Sequence, residues 1–540
     1  NASDKKLAKF ILHNCPWCSS SFSIKNYQST KESFHFTCTN RDCDFGKIEN
    51  NKLPCNVVDD ALYKSPPSLL IATVDKFARL TWQHEPQVFF NKNNNRPPEL
   101  IIQDELHLIS GALGSIVGLY EVALDTILSS LKVYPKYIAS TATIKNAKNQ
   151  VKLLYGREMG IFPPIGLRAN DSYFAKTISI KEKPGRTYVG FLDYRAKREH
   201  SLTPIASNLL VAPNVLFQEE EDFYDSWWTQ IAYHSSLREL GNNQTLYKDK
   251  IRNQIKVITN RINDNKKDNQ ELSVSNTVEL RELKNIKTIS GSQLPKHNQT
   301  VFTNLQLPES EDNSIDVALT TEIISVGVDV DRLSLMIING QPSTTAQYIQ
   351  ASSRVGRSDV PGIVFINYYK TQSRSLSHYE NFRSYHDSFY QYVEPSSITP
   401  FTFQARLRAM HAVIVCAVRH SQIGLLENDA AFKFDSEDVD LKKVILKIKN
   451  RCKNSIDNKD TLNEIERHID DIVFLWSSKV EQCKSTDMRL VYNNNGDRAF
   501  DSLLCDFSES QDSYKIPWPT LQSMRNIENL GAIEINSLNE

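Results

Sequence analysis

Ile101-Ile102-Gln103-Asp104-Glu105-Leu106-His107 is a short apolar run that ends in two adjacent carboxylates, with an imidazole two residues further on. In an open parallel sheet, ligands bind beyond the carboxyl ends of the strands. An Asp at such an end can hold Mg²⁺, directly or through water, while the Glu after it orients a water for attack on a phosphoryl group. Adjacent acids also occur as plain solvated strand ends, so the surrounding residues decide between the two.

Those surroundings repeat the pattern. Leu69-Leu70-Ile71-Ala72, Leu100-Ile101-Ile102-Gln103 and Tyr137-Ile138-Ala139-Ser140 are apolar runs bounded by polar residues. They are predicted strands, buried on both faces of a parallel sheet, and make half of an α/β domain. A second α/β set is predicted from Thr187-Tyr188-Val189-Gly190-Phe191 and Gln230-Ile231-Ala232-Tyr233. It continues through Val317-Ala318-Leu319-Thr320 and Leu335-Met336-Ile337-Ile338 to Ile363-Val364-Phe365-Ile366. Residues 260–276, rich in Asn, Asp and Lys, read as a solvated loop or a polar helix end. After Pro400 the strand signals stop, and residues 401–420 and 441–482 read as helices.

Three further groups carry chemistry. Ser140-Thr141-Ala142-Thr143 follows a predicted strand, where small hydroxyls can relay hydrogen bonds or simply cap a turn. Thr321 through Asp329 follows the strand ending at Thr320. Gly327 there lets the backbone approach a ligand that Asp329 can then bond. Pro342-Ser343-Thr344 supplies the N-cap of a helix over 345–353, which leads into Gln350-Ala351-Ser352-Ser353-Arg354-Val355-Gly356-Arg357. Gln350 and Arg354 are four apart and share a face, and Arg357 follows a glycine at the helix end. Two guanidiniums suit a γ-phosphate, since fixed planar charge stabilises the negative charge spread over a transferring phosphoryl group. A basic helix end at the surface is the plainer alternative.

Composition sets the outer limits. With 540 residues, 40% hydrophobic and 24% charged, the chain is not wholly disordered, collagenous or coiled-coil, and about three to five domains fit the length. Sixty-three basic against 64 acidic residues leave a net charge of −1, so any grip on a phosphate backbone must come from a local basic surface. No run of about 18 apolar residues marks a membrane span. No apolar leader follows the polar start Asn1-Ala2-Ser3-Asp4, and a cytoplasmic location is expected. Nine cysteines are too sparse for a disulfide scaffold. Four of them are paired, as Cys15-x2-Cys18 and Cys38-x4-Cys43, a spacing that can close a tetrahedral structural Zn²⁺ site. Lys25, Lys31, Arg41 and Lys47, interleaved with Trp17, Tyr27 and Phe34, would let this ribbon touch nucleic acid; a plain structural staple is the alternative. Arg406, Arg408, His411 and Arg419 lie on one predicted helix and face either a phosphate backbone or solvent.

Taken in order, these groups resemble the motifs of superfamily 2 helicases and translocases. Asp104-Glu105-Leu106-His107 resembles motif II, a DEAH-type box with Leu in the third place. Ser140 through Thr143 resembles motif III, Thr321 through Asp329 motif V, and Gln350 through Arg357 motif VI, with Arg354 and Arg357 at its arginine positions. Ala72-Thr73-Val74-Asp75-Lys76-Phe77 is similar to motif Ib, and Tyr233 through Leu240 sits where motif IV belongs. Three stretches further resemble the helicase subunit of DISARM-type bacterial phage-defence systems: Ile338-Asn339-Gly340-Gln341-Pro342, Tyr233 through Leu240, and Ser523-Met524-Arg525-Asn526.

The resemblance implies an α/β fold of two RecA-like lobes, the first incomplete, with an N-terminal zinc-ribbon insertion and a mainly helical C-terminal domain. The corresponding spans are 1–60 for the ribbon, 61–170 and 171–395 for the lobes, and 396–540 for the helices. It also implies an ATP-dependent helicase or translocase. Asp104 would hold Mg²⁺, Glu105 would activate water, and Arg354 and Arg357 would stabilise the transferring charge. His107, Gly327, Asp329 and Gln350 would line the nucleotide, and Thr73, Thr141 and Thr321 would touch nucleic acid, DNA before RNA. Protein partners of a defence complex and no membrane are implied with it. One departure stands out. No GxxxxGK[ST] phosphate loop is present, and the Gly46-Lys47 pair is followed by Ile48. The expected explanation is a chain that begins inside a longer protein; the alternative is a non-catalytic nucleic-acid-binding scaffold with a degenerate helicase fold. Under both, poor ATP hydrolysis by this chain alone is expected.

Overall fold

The structure is a computed structural model. It describes residues 12–524 apart from 30–32, 49–50, 91–94, 142–145, 165–166, 169–170, 172, 174–175, 195–197, 218–220, 269–276, 322–329, 358, 395–396, 495, 510–511 and 513. Packing divides the chain into two compact units: residues 163–394 with the N-terminal cysteine segment, and residues 54–162 with 395–540.

The second of these contains strand β1 (Leu100–Gln103), helix α1 (Gly111–Ser130), strand β2 (Lys136–Ala139) and helix α2 (Ala147–Tyr155). β1 and β2 pair in parallel, with Ile101 opposite Tyr137 and Gln103 opposite Ala139. α1 is mostly apolar, with Glu121 and Asp125 as its charged residues, and is held by being enclosed. Fourteen of its residues, from Gly114 to Leu128, are buried. Gly114 and Gly118 make the close packing possible. A Cβ at Gly114 would lie 2.5 Å from the Ile398 side chain, and one at Gly118 would lie 3.0 Å from Pro400. By length and composition α1 could also cross a membrane, but it is the buried centre of this unit.

Two of the predicted strands form here with one correction. They are buried on one face only: Leu100, Ile102 and Ile138 are exposed. Leu69-Leu70-Ile71-Ala72 is not a strand, and its Leu69 and Ile71 side chains are exposed at 74% and 87%. A parallel sheet is covered on its second face by crossover helices. Among the described residues this sheet has two strands, and no such layer lies over the outer one of its faces.

In the other unit, β3 (Arg186–Leu192), β4 (Gln230–His234), β5 (Ile286–Ile289), β6 (Val317–Thr320), β7 (Leu335–Asn339) and β8 (Gly362–Tyr368) form one parallel sheet. Its order is β3-β8-β7-β4-β6-β5. β4, β6 and β7 are buried at every position, as central strands of a doubly covered sheet must be. Helix α3 (Leu237–Leu246) follows β4 and helix α4 (Thr345–Ser352) follows β7. β5 escaped the strand prediction because Lys287 and Thr288 break its apolar run. This unit is a parallel-sheet α/β fold.

The chain returns to the first-described unit through α5 (Phe403–His420), α6 (Val439–Ser455) and α7 (Lys459–Ser485), which pack around α1. Helices dominate here as predicted, but strands do not stop at Pro400. Arg489–Val491 pairs with Phe500–Ser502, and Leu504–Asp506 with Trp518–Thr520. The four basic residues singled out on α5 do not form an exposed face. Arg406, His411 and Arg419 are almost fully buried. Arg406 donates to the Glu464 carbonyl at 3.0 Å, Arg419 to the Leu426 and Thr81 carbonyls, and His411 to the Pro519 carbonyl. Arg408 is half-buried over the Phe507 ring. Buried guanidiniums need fixed acceptors, and backbone carbonyls supply them here.

Buried charge also ties α1 to α6. Asp125 of α1 accepts from Arg157 at 3.0 Å and from Arg451 of α6 at 2.5 Å, while Arg451 also donates to the Leu154 carbonyl. Glu121, one turn earlier, accepts from the Tyr137 hydroxyl at 3.4 Å. Burial, and then the Asp125 charge, push Glu121 up to about 8. A carboxyl raised in the folded state takes up a proton on folding. Its stability contribution is therefore intact below the unfolded value of about 4.3 and is lost as pH climbs toward 8. Glu121→Gln keeps the acceptor and removes this slope. Its melting temperature is expected to rise above the parent's at pH 8 but not at pH 4, a gain on the order of 1–3 kcal/mol. Parallel thermal scans at the two pH values check it.

Candidate functional site

The acid box sits where β1 ends. Ser140, just past β2, brackets it: its N–H donates to the Gln103 carbonyl and its carbonyl accepts from Leu106 N–H, both at 2.9 Å. Its hydroxyl donates to Asp104 Oδ1, which also accepts from Glu105 N–H at 3.0 Å. Asp104 is exposed at the strand end. Glu105 adopts a left-handed conformation (φ 51°, ψ 48°), which costs a residue with a Cβ about 1–2 kcal/mol. The chain then tightens into a short 3₁₀ turn, Leu106–Leu108, and His107 Nδ1 comes to 3.3 Å from Glu105 Oε2. The sharp turn aims two carboxylates away from the core at the carboxyl end of a parallel pair. Behind it, Gln150 of α2 donates to the carbonyls of Ile109 (2.8 Å) and Leu106 (3.3 Å).

Asp104, Glu105, His107 and Thr141 are thus gathered at one end of β1 and β2, with Thr141 exposed. Thr73 is exposed two residues before the helix Asp75–Trp82 and accepts from Lys76 N–H. Ser140 and Gln150 hold the box but did not stand out as site residues in the sequence. Ser140 was legible as part of its hydroxyl cluster, whereas Gln150 carries no sequence signal.

In the unit containing the six-stranded sheet, α4 begins as predicted. Thr344 caps it by accepting from Gln347 N–H at 3.1 Å, and the Gln347 side chain closes the capping box. α4 ends at Ser352, and Arg354 and Arg357 follow within one turn, both half-buried. Gly356 allows this: its φ is +64°, and a Cβ there would lie 2.8 Å from Gly362 in β8. Arg357 Nε donates to the Ser353 carbonyl, and Gly356 N–H to the Leu333 carbonyl. Gln350 lies on α4, half-buried. Thr321 is half-buried directly after β6, with its N–H on the Ile289 carbonyl at 3.4 Å. Gly327 and Asp329 lie outside the described residues, as do Ala142 and Thr143.

The cysteine cluster is a built site. The Sγ atoms of Cys15, Cys18, Cys38 and Cys43 all lie within 4.8 Å of one another, and Cys18 and Cys38 are 3.7 Å apart. Both loops are tight. Ser19 is left-handed, Cys15 N–H donates to the Ser20 carbonyl, and the N–H groups of Gly46 and Lys47 return to the Cys43 carbonyl. Hydrogen bonds with Ser20 pull the Cys18 thiol down to about 6, while burial pushes Cys38 up to about 12. Four convergent sulfurs, with no carboxylate or imidazole among them, fit the donor set of a closed zinc site. Near it Trp17 is exposed at 64% and Lys47 pairs with Asp44 at 2.6 Å. Lys31 lies outside the described residues.

Residues 240–359 match the helicase conserved C-terminal domain. DISARM protein DrmA of Bacillus paralicheniformis is 33% identical over 580 aligned positions, which take in 98% of this chain and 49% of that protein. The chain therefore spans about half the length of this curated relative. Among solved structures, the DUF1998 helicase MrfA bound to DNA and AMPPNP overlaps at 16% identity and a TM-score of 0.46, covering 66% of this chain and 41% of that one. Mycobacterium smegmatis helicase Lhr bound to ssDNA and AMP-PNP overlaps at 16% identity and 0.42, covering 72% and 47%. The chain is a homologue of DISARM protein DrmA, and its residues 240–359 match the helicase conserved C-terminal domain.

Proposed function

We propose that this chain belongs to an ATP-driven nucleic-acid motor that works in bacterial defence. The observation that carries the reading is the strained Asp104-Glu105 turn. Its two carboxylates stand at the carboxyl ends of parallel strands, and Ser140 holds Asp104 in place. Asp104 would hold Mg²⁺, which neutralises charge on the phosphates when bound. Glu105 orients the attacking water, and His107, 3.3 Å away, restrains its carboxylate. Arg354 and Arg357 stabilise the charge that spreads over the transferring group. Gln350, Gly327 and Asp329 contact the nucleotide, while Thr73, Thr141 and Thr321 contact the backbone of a nucleic acid. Homology to a phage-defence protein favours DNA over RNA and a multiprotein setting. The cysteine cluster would hold one structural Zn²⁺.

A second reading, a nucleic-acid-binding scaffold without turnover, is favoured by one observation: these 540 residues carry no GxxxxGK[ST] loop. ATP hydrolysis by the intact protein, with and without single-stranded and duplex DNA and RNA, separates the two. A rate stimulated by nucleic acid, strongest with DNA, is expected. Tight nucleic-acid binding with no hydrolysis on any strand would favour the scaffold.

A further inference from the structure

We propose that Gln150 is a positioning residue for Glu105, acting through the backbone of the turn that follows it. The inference rests on Glu105 being the water-orienting group. Glu105 is held in a left-handed conformation that its own side chain disfavours. Such a conformation persists only where its surroundings over-determine it. From the front, Ser140 fixes the residues on either side of Glu105. From behind, the two short segments that could relax are the carbonyls of Leu106 and Ile109, at the start and just past the end of the 3₁₀ turn. A single amide holds both: Gln150 Nε2 reaches Ile109 O at 2.8 Å and Leu106 O at 3.3 Å. Leu108 N–H to Glu105 O (2.9 Å) and Ile109 N–H to Leu106 O (3.0 Å) close the turn between them.

Gln150 is 1% exposed, on the inner face of α2. Its amide is therefore shielded from water, and no solvent donor can replace it. α2 is also the helix that follows the Ser140-Thr141 segment. The box is consequently clamped from both sides by one stretch of chain, Ser140 in front and Gln150 behind. A shift of α2 would move the backbone that sets the direction of the Glu105 carboxylate.

Q150M keeps the volume and removes the donor. In the intact protein it is expected to lower kcat for ATP by about 10- to 100-fold, the usual result of a catalytic group displaced by a fraction of an ångström, with KM for ATP unchanged. The amides of Leu106, Leu108 and Ile109 should exchange faster with solvent, while protection in α1 stays as in the parent. An ordinary core role would instead lower the melting temperature with kcat and the turn amides unaltered, and that result overturns the proposal. The two layers can fail separately. Turnover that survives Glu105→Gln removes the water-orienting role of Glu105. Turn amides equally protected in Q150M and the parent remove the clamp, whatever the activity.

Discussion

Glu105→Gln in the intact protein is expected to lower ATP turnover by about 10²- to 10⁴-fold, the range that removal of a positioned base commonly produces. ATP affinity should stay within a few-fold. The substitution is nearly isosteric, and Gln can occupy the same left-handed turn, so the Ser140 and Gln150 contacts remain. What goes is the carboxylate 3.3 Å from His107 Nδ1, and with it the group proposed to take a proton from water. Asp104 keeps its bonds from Ser140 and Glu105 N–H, so the half of the box proposed to hold Mg²⁺ is undisturbed. Pre-steady-state hydrolysis with a separate nucleotide-binding titration reads both quantities. A variant with parental turnover excludes Glu105 from the chemistry. A variant that also loses binding assigns it to nucleotide retention.

Loss of the Zn²⁺ proposed for the cysteine cluster is the second large expected effect. One Zn²⁺ per chain is expected on purification, lost on Cys38→Ser. Structural zinc sites in small peptides contribute about 10–16 kcal/mol of apparent binding free energy, far more than a segment of this size can bury otherwise. The ribbon has few apolar side chains of its own: Phe36 and Leu53 are buried, with Phe22 stacked on Phe36 at 5.5 Å. Its loops depend on Cys15 and Cys43 as backbone anchors. In the metal-free variant, limited proteolysis should cut within residues 12–53 while the six-stranded sheet survives. Metal analysis and the cleavage pattern give the readout. A ribbon that stays protease-resistant without zinc would show that its aromatic cluster suffices.

Much of the fold was legible because buried parallel strands advertise themselves. Leu335-Met336-Ile337-Ile338 and Val317-Ala318-Leu319-Thr320 are continuous apolar runs and became β7 and β6. Ile286-Lys287-Thr288-Ile289 became the edge strand β5 without such a run, because an edge strand has one side to bury less of. The opposite error fell at Leu69-Leu70-Ile71-Ala72. Its composition is that of a strand, but no partner strand among the described residues pairs with it. The basic residues of α5 misled for a related reason. Charge in a sequence suggests solvent, yet Arg406 and Arg419 are enclosed and donate to carbonyls far away along the chain.

The chemistry divides along the same line. The acid pair, the arginine pair and the cysteine pairs are short-range patterns, readable because each lies within a few residues. The sequence therefore determined which chemical groups the protein owns and their order, enough to show the resemblance to helicases. The left-handed turn at Glu105, the raised carboxyl of Glu121 and the Gln150 clamp were decided by tertiary structure alone. Each depends on atoms brought together from distant positions, and on the burial that sets their strength. Neither is encoded in any local pattern of residues.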